Sequence, residues 1–229
     1  MLQTQRSAGN DKAISAILAH LEELRSKRPS ELQAAGKSAK TSETIRKIIA
    51  AAHEIFIQDG HAGLTLRHVA DSAGIAVGNL TYHFPSKRVL LDAMLCEALA
   101  DYVDEHIRIF KTGSDSPMEI LMDVVEFHVH NGRQAHRFFY QMWGYAACDE
   151  EAKMTIRNFF RMIGRFIYYL VRAANPKLND AQIRCATLQI ASLEEGYKLF
   201  IGLGPDDNPA INRAEEDIRL LTEKIVMTS

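Results

Sequence analysis

The stretch that decides the fold runs from Thr65 to Lys87 and reads TLRHVADSAGIAVGNLTYHFPSK. Its pattern predicts two short helices with a sharp corner between them. Thr65 is a good N-cap, and apolar residues then recur at helical spacing up to Gly74, where a helix ending in a left-handed residue favours glycine. A second short helix fits residues 77–83, and Pro85 prevents its simple continuation. This arrangement is typical of a helix-turn-helix, whose second helix enters the major groove of DNA.

The side chains of the second helix suit contact with DNA. Gly78 leaves room for close approach of a backbone or base edge, and the Asn79 amide can match adenine. Thr81 can reach a phosphate or a base. Donors for phosphate surround the end of this helix at Tyr82, His83 and Lys87. Spacing alone leaves one alternative open, a surface helix pair in any helical protein.

Two runs of sequence resemble the TetR (tetracycline-repressor) family of bacterial one-component regulators. They are AGIAVGNLTYHFPSKRVLL at residues 73–91 and IIAAAHEIFIQDGHAGLTLRHVA at residues 48–70. The resemblance covers roughly residues 41–91, and beyond them it extends to architecture only. It implies that DNA is contacted by Thr65, Val77, Gly78, Asn79, Thr81, Tyr82, His83 and Lys87. Two positions depart from the family pattern, because Ala76 replaces the usual serine cap and Thr81 replaces a common aromatic residue.

The remaining periodicity predicts an all-α protein. An N-terminal extension (residues 1–40) carries one amphipathic helix, which is capped by Asn10 and must dock on its own body or on a partner subunit. Its apolar stripe consists of Ile14, Ile17, Leu18, Leu21 and Leu24. A three-helix DNA-binding domain (41–88) follows, with Arg46 on a polar face where phosphate contact and plain solvation remain alternatives. A larger helical domain (89–229) completes the chain. Its predicted helices are 86–110, 117–130, 133–146, 150–173, 180–202 and 209–227, with Asn131-Gly132 as a break.

Charge and composition agree with a regulator that binds DNA. The net charge is −2, but residues 1–90 carry +4 and residues 91–229 carry −6. This asymmetry suits a basic DNA-binding domain followed by an acidic domain, because only the residues close to DNA need to neutralise its phosphates. No run of 18 apolar residues and no signal-peptide core occur, so no membrane partner is expected. Three scattered cysteines suit a reducing cytoplasm, and DNA binding would place the protein at the nucleoid.

The stretch from Arg133 to Ala174 is the most aromatic part of the chain. A plain aromatic core explains most of it, but a lined pocket for a small apolar or aromatic effector is the alternative that the family resemblance favours. The candidate ligand-binding residues are Phe127, His128, Phe139, Met142, Trp143, Phe159, Met162, Phe166 and Tyr169. In the family the last two helices pair with their mates, which implies a homodimer here. The candidate interface residues are Leu188, Leu193, Tyr197, Ile218 and Leu221.

The alternative function is a helical enzyme or small-molecule-binding protein that uses the histidines of the aromatic region. His128, His130 and His136 lie close in sequence, but no Glu-x-x-His pair of a di-iron bundle occurs. His128 and His130 point about 200° apart on a helix, so one ion cannot easily hold both. We therefore predict no catalytic residues, no metal and no cofactor. The predicted function is a dimeric repressor that binds a palindromic operator in double-stranded DNA and is released by a small molecule.

Overall fold

Helices account for almost all of the chain that the computed structural model describes, which is residues 15–26, 28–29, 38–114, 116–205 and 208–228. No strand occurs in these ranges, so the prediction of an all-α fold is confirmed. We number the helices α1 (residues 15–25), α2 (Ala39–Gly63), α3 (Leu66–Ser72), α4 (Val77–His83), α5 (Lys87–Thr112), α6 (Pro117–Cys148), α7 (Glu150–Ala174), α8 (Asp180–Leu203), α9 (Pro209–Asn212) and α10 (Ala214–Thr228).

Local chemistry sets the corners of the helix-turn-helix as predicted. The Thr65 hydroxyl accepts a hydrogen bond from the backbone N–H of His68 at 3.1 Å and so caps α3. Gly74 follows α3 with a φ of 66°, a left-handed conformation that glycine adopts without steric cost. Gly60 has a φ of 68° and kinks the last turn of α2. These caps and glycines fix where α3 starts and where α2 and α3 turn.

A small apolar core holds α2, α3 and α4 together. The fully buried side chains in it include Ile45, Ile48, Phe56, Leu64, Val69, Leu80 and Phe84. Helix α3 packs against both α2 and α4. Leu80 and Phe84, which anchor α4 to this core, are both completely buried. Helix α4 is therefore held by one face, and its other face is left to solvent.

The predicted break at Asn131-Gly132 is wrong, because α6 runs without interruption from Pro117 to Cys148. Gly132 does not end a helix; instead, it provides space for a neighbouring helix. A Cβ atom placed on it would lie 2.8 Å from Cγ of the buried Lys198 on α8. Glycine here allows two helices to approach closely, and its low helix propensity of about 1 kcal/mol is overcome by the surrounding packing.

The final helices are close to prediction. Asn179 and Gln182 form a capping box at the start of α8, and Gly204 follows its end. The single helix predicted over residues 209–227 is divided in two at Arg213. Helix α10 packs along α8. It is also tied to α6 by Arg219, whose guanidinium contacts the carboxylates of Glu119, Asp123 and Glu126 at 2.5–3.0 Å.

The chain divides into two compact units, each assembled from separate segments. The first unit comprises residues 1–21, 105–139 and 160–229, and the second comprises residues 22–104 and 140–159. The predicted domain boundaries at residues 40 and 88 stay a prediction.

Helix α1 packs on its own chain. Ile17 and Leu21, which belong to the predicted apolar stripe of α1, are buried. Within the second unit, Arg28 makes ion pairs of 2.7–3.1 Å with Glu97, Asp101 and Asp104 on α5. The predicted cap Asn10 and the stripe residue Ile14 lie outside the described residues.

Candidate DNA-binding surface and effector core

The solvent face of α4 carries most of the residues predicted to contact DNA. Val77, Gly78, Asn79 and Tyr82 are all exposed, and Tyr82 is the most open at 76% of its surface. A Cβ placed on Gly78 would meet no atom within 4 Å, so nothing in the chain crowds this face. An amide, a phenol and an open backbone position therefore lie on one side of a short, firmly anchored helix. This combination suits the reading of base edges and phosphates.

The two threonines predicted to contact DNA, Thr65 and Thr81, make hydrogen bonds within the chain. The Thr65 hydroxyl caps α3, and the Thr81 hydroxyl donates to the carbonyl of Gly78 at 3.2 Å. Thr81 is half-buried, whereas Thr65 is exposed. Neither arrangement prevents a second hydrogen bond to phosphate, because a hydroxyl has one donor and two acceptor positions.

His83 does not lie on this surface. It is only 9% exposed, and its ring packs edge-on against Tyr82 with centroids 5.0 Å apart. His83 is the last residue of α4, and its side chain is buried within the chain. It therefore does not belong to the exposed face of α4.

Lys87 is engaged within the chain. Its ammonium donates to the carbonyl oxygen of His61 at 2.5 Å, and burial lowers its pKa. The same His61 ring stacks on Tyr145 with centroids 4.0 Å apart. Lys87 thus ties the start of α5 to the end of α2, and its predicted contact with phosphate stays a prediction.

Arg46 is exposed and pairs with Glu43 one turn earlier at 3.2 Å. Glu43 also lies 3.7 Å from Lys47. Exposed pairs of this kind contribute little to stability, so both cations can exchange the carboxylate for phosphate. Solvation and phosphate contact remain the two alternatives for Arg46.

The residues predicted to bind an effector fall into both units. Phe127, His128, Phe139, Met162, Phe166 and Tyr169 belong to the first unit, and Met142, Trp143 and Phe159 belong to the second. In the first unit, His128, Phe139 and Phe166 are buried, while Tyr169 is exposed. In the second unit, the Trp143 ring lies 5.9 Å from Tyr140 and Phe159 lies 6.4 Å from Tyr102. The predicted effector residues are therefore divided between the two units.

Beside the predicted His128, the first unit contains three buried polar residues that were not predicted: His106, Glu194 and Lys198. His106 Nε2 lies 2.8 Å from His128 Nε2, and His128 Nδ1 lies 3.1 Å from a carboxylate oxygen of Glu194. All three side chains are buried, as is Lys198. A signal for Glu194 and Lys198 did exist, because they continue the buried stripe of α8 that begins with Ile183, Ala186 and Ile190. His106 had no comparable signal.

A row of exposed apolar side chains runs along α8 and α10. Its members are Leu188, Leu199, Phe200, Leu203, Leu220 and Met227, and Leu188 is exposed to 69%. Of the predicted interface residues, Leu188 belongs to this row, whereas Leu193, Tyr197 and Leu221 are half-buried. Ile218 is fully buried inside the chain, so it is not available to a second subunit.

The described residues show neither a metal site nor a membrane span. No group of three or more His, Cys, Asp and Glu side chains in the described ranges is arranged to hold an ion. None of the helices there combines the length and apolar character needed to cross a bilayer.

The described helices define the class of protein: an all-helical protein with a helix-turn-helix near its N-terminus and a larger helical part after it. Residues 48–94 match the family described as "Bacterial regulatory proteins, tetR family". Over these residues the chain is similar to that family.

Individual relatives agree with that assignment. The chain is 26% identical over 139 residues to the probable HTH-type transcriptional regulator YttP of Bacillus subtilis, covering 58% of this chain and 65% of that protein. It is 35% identical over 81 residues to the HTH-type transcriptional repressor KstR2 of Rhodococcus jostii, covering 35% and 38%. The matches thus span less than two thirds of either relative. A solved structure from Pseudomonas aeruginosa, a putative transcriptional regulator, shares the fold with a TM-score of 0.71 at 14% identity, covering 87% of this chain and 97% of that one.

Proposed function

We propose that this protein is a ligand-responsive transcriptional repressor that binds a palindromic operator as a dimer. The observation that supports this function best is the exposed face of α4. Asn79, Tyr82 and the uncrowded Gly78 lie on this face, and the buried Leu80 anchors the opposite face of the helix. The similarity of residues 48–94 to bacterial regulators supports it, as does the repressor among the relatives. A protein acting on DNA would work in the cytoplasm, at the nucleoid.

The demands of a palindrome and the exposed apolar row on α8 and α10 both support a dimer. Two recognition helices must lie about 34–36 Å apart to enter successive major grooves. Large apolar side chains that are exposed on two packed helices suit a symmetric interface with a second copy of the chain. Leu188, Leu199 and Leu203 are its proposed centre.

Release by a small molecule requires only a modest energetic preference. An effector that favours a conformation with a different spacing of the recognition helices shifts the population away from DNA. A tenfold change in operator affinity corresponds to about 1.4 kcal/mol of differential binding. The aromatic residues of the first unit, with Phe166 and Phe127 at their centre, are the proposed body of the effector site.

The experiment is a selection of operator sequences followed by titration with variants of α4. Asn79→Ala should lose discrimination at one base pair by about 1–3 kcal/mol, since a bidentate amide contact reads a single base. The matched control is Ser72→Ala, an exposed change at the end of α3 that leaves the α4 face intact. Failure of the wild-type protein to select any DNA sequence would overturn the proposed function. Unchanged base preference in Asn79→Ala would remove that residue from base readout.

A further inference from the structure

Three polar side chains form a line through the apolar core of the first unit. Glu194 Oε2 contacts His128 Nδ1 at 3.1 Å, and His128 Nε2 contacts His106 Nε2 at 2.8 Å. Each residue is at most 3% exposed. The pKa of His106 is held well below its usual range by burial and by the neighbouring His128, so His106 is neutral at neutral pH. One imidazole N–H therefore bridges the two rings, and the line ends at the carboxylate.

Only the Oε2 atom of the Glu194 carboxylate approaches His128. Its Oε1 atom is buried and has no hydrogen-bond partner within the described part of the chain. A buried polar atom without a partner carries a desolvation cost, and such atoms are rare in native cores. A carboxylate oxygen accepts hydrogen bonds. A ligand group that donates a hydrogen bond to Oε1 would therefore satisfy this atom.

Lys198, one turn further along α8, is directed elsewhere. Its ammonium contacts Glu195 at 2.6 Å and lies 4.5 Å above the ring of Phe139. The buried cation of this region is thus paired with a different carboxylate.

Aromatic rings surround the two histidines. The His106 ring stacks on Phe166 with centroids 4.5 Å apart and meets Phe127 edge-on at 6.0 Å. Phe110 lies against Phe166 at 5.6 Å. A small set of placed polar groups among aromatic side chains is the usual composition of a small-molecule site. Aromatic faces beside a carboxylate also suit a ligand cation.

We propose that Glu194, oriented by His128 and His106, is the polar anchor of the effector site, and that the effector carries a hydrogen-bond donor, an ammonium or a hydroxyl, on an apolar or aromatic body. This inference rests on the proposed function, which supplies the effector site. It narrows the effector from any small apolar molecule to one with a donor group. The rival explanation is a single buried water on Oε1, and it gives no preference for donors.

The test is calorimetric binding of four compounds that share one skeleton: 4-phenylbutylamine, 4-phenylbutan-1-ol, 4-phenylbutyrate and pentylbenzene. The wild-type protein should bind the amine or the alcohol at least about 10-fold more tightly than the hydrocarbon or the acid, because only the first two can donate to a buried carboxylate. This comparison needs no variant and so does not depend on how substitutions affect folding.

Two substitutions then distinguish the two donors. Glu194→Leu removes the acceptor and should abolish the preference for either donor. Glu194→Gln keeps a carbonyl acceptor without the charge, so it should weaken an ammonium by about 10- to 100-fold and a hydroxyl by only a few-fold. Glu223→Gln, an exposed position on α10, is the matched control and should change nothing.

Three results would overturn the inference: binding of the acid or hydrocarbon as tightly as the donors, no binding of any of the four compounds, or a donor preference that survives Glu194→Leu. Operator binding measured without any compound tests the proposed function separately. A protein that selects an operator but shows no donor preference would retain the first proposal and lose this one.

Discussion

Replacing Gly132 by alanine should destabilise the protein, although alanine is the better helix former. Gly132 lies inside α6, where propensity alone would favour alanine by about 1 kcal/mol. However, the added Cβ would lie 2.8 Å from Lys198 Cγ and 3.5 Å from the Cα and Cβ of the same residue. Lys198 is buried and held by Glu195, so its stem cannot swing away freely. Overpacking of this kind typically costs about 1–3 kcal/mol.

Gly144 provides a matched control in the same helix. A Cβ there meets no atom within 4 Å, so Gly144→Ala should show only the gain in propensity. Because propensity cancels between the two variants, their difference isolates the contact with Lys198. We expect Gly132→Ala to be less stable than Gly144→Ala by about 1–3 kcal/mol, or about 2–12 °C in melting temperature for a chain of this size.

The assay is thermal unfolding followed by circular dichroism at 222 nm, with all proteins at one concentration because association shifts the midpoint. Equal melting temperatures for the two variants would refute the reasoning. They would mean that α6 and α8 separate at Gly132 without cost, and that glycine is not required there for close approach.

Three further predictions concern ion pairing, pH and assembly. Arg219→Met should lower the free energy of unfolding by about 1–2 kcal/mol, because three carboxylates lose a shared and partly buried partner. The control Arg213→Met removes an exposed ion pair and should change the free energy of unfolding by no more than about 0.5 kcal/mol. Urea unfolding measures both. The pKa of His106 is lower in the folded protein than in the unfolded chain. Below about pH 6.5 the unfolded chain therefore binds a proton at His106 that the folded protein does not. The free energy of unfolding should consequently fall as the pH drops through that value. In His106→Gln this part of the pH dependence should vanish, and an unchanged melting profile from pH 7.5 to 5.5 would contradict the assignment. Leu188→Asp places a charge at a position that is exposed in the single chain, so the variant should still fold. In a dimer that charge would be buried, so light scattering should report monomers. A stable dimer would place the interface elsewhere.

The sequence by itself determined the helix-turn-helix and its boundaries. Thr65 caps α3, Gly74 turns the chain, and Pro85 follows α4, because each of these effects is settled by atoms within a few residues. The capping box at Asn179 and the start of α6 at Pro117 belong to the same class. Local chemistry of this kind can be predicted without knowledge of the fold.

Only the tertiary structure decided which of the polar residues face solvent and which are enclosed. His83 and Lys87 have sequence positions that suit phosphate, but one is buried and the other donates to a carbonyl on α2, 26 residues away. Gly132 looked like a helix end, yet it serves a contact with α8. His106, His128 and Glu194 meet across 88 residues of chain. Contacts between distant segments depend on how whole helices pack, and no local pattern of residues encodes that packing.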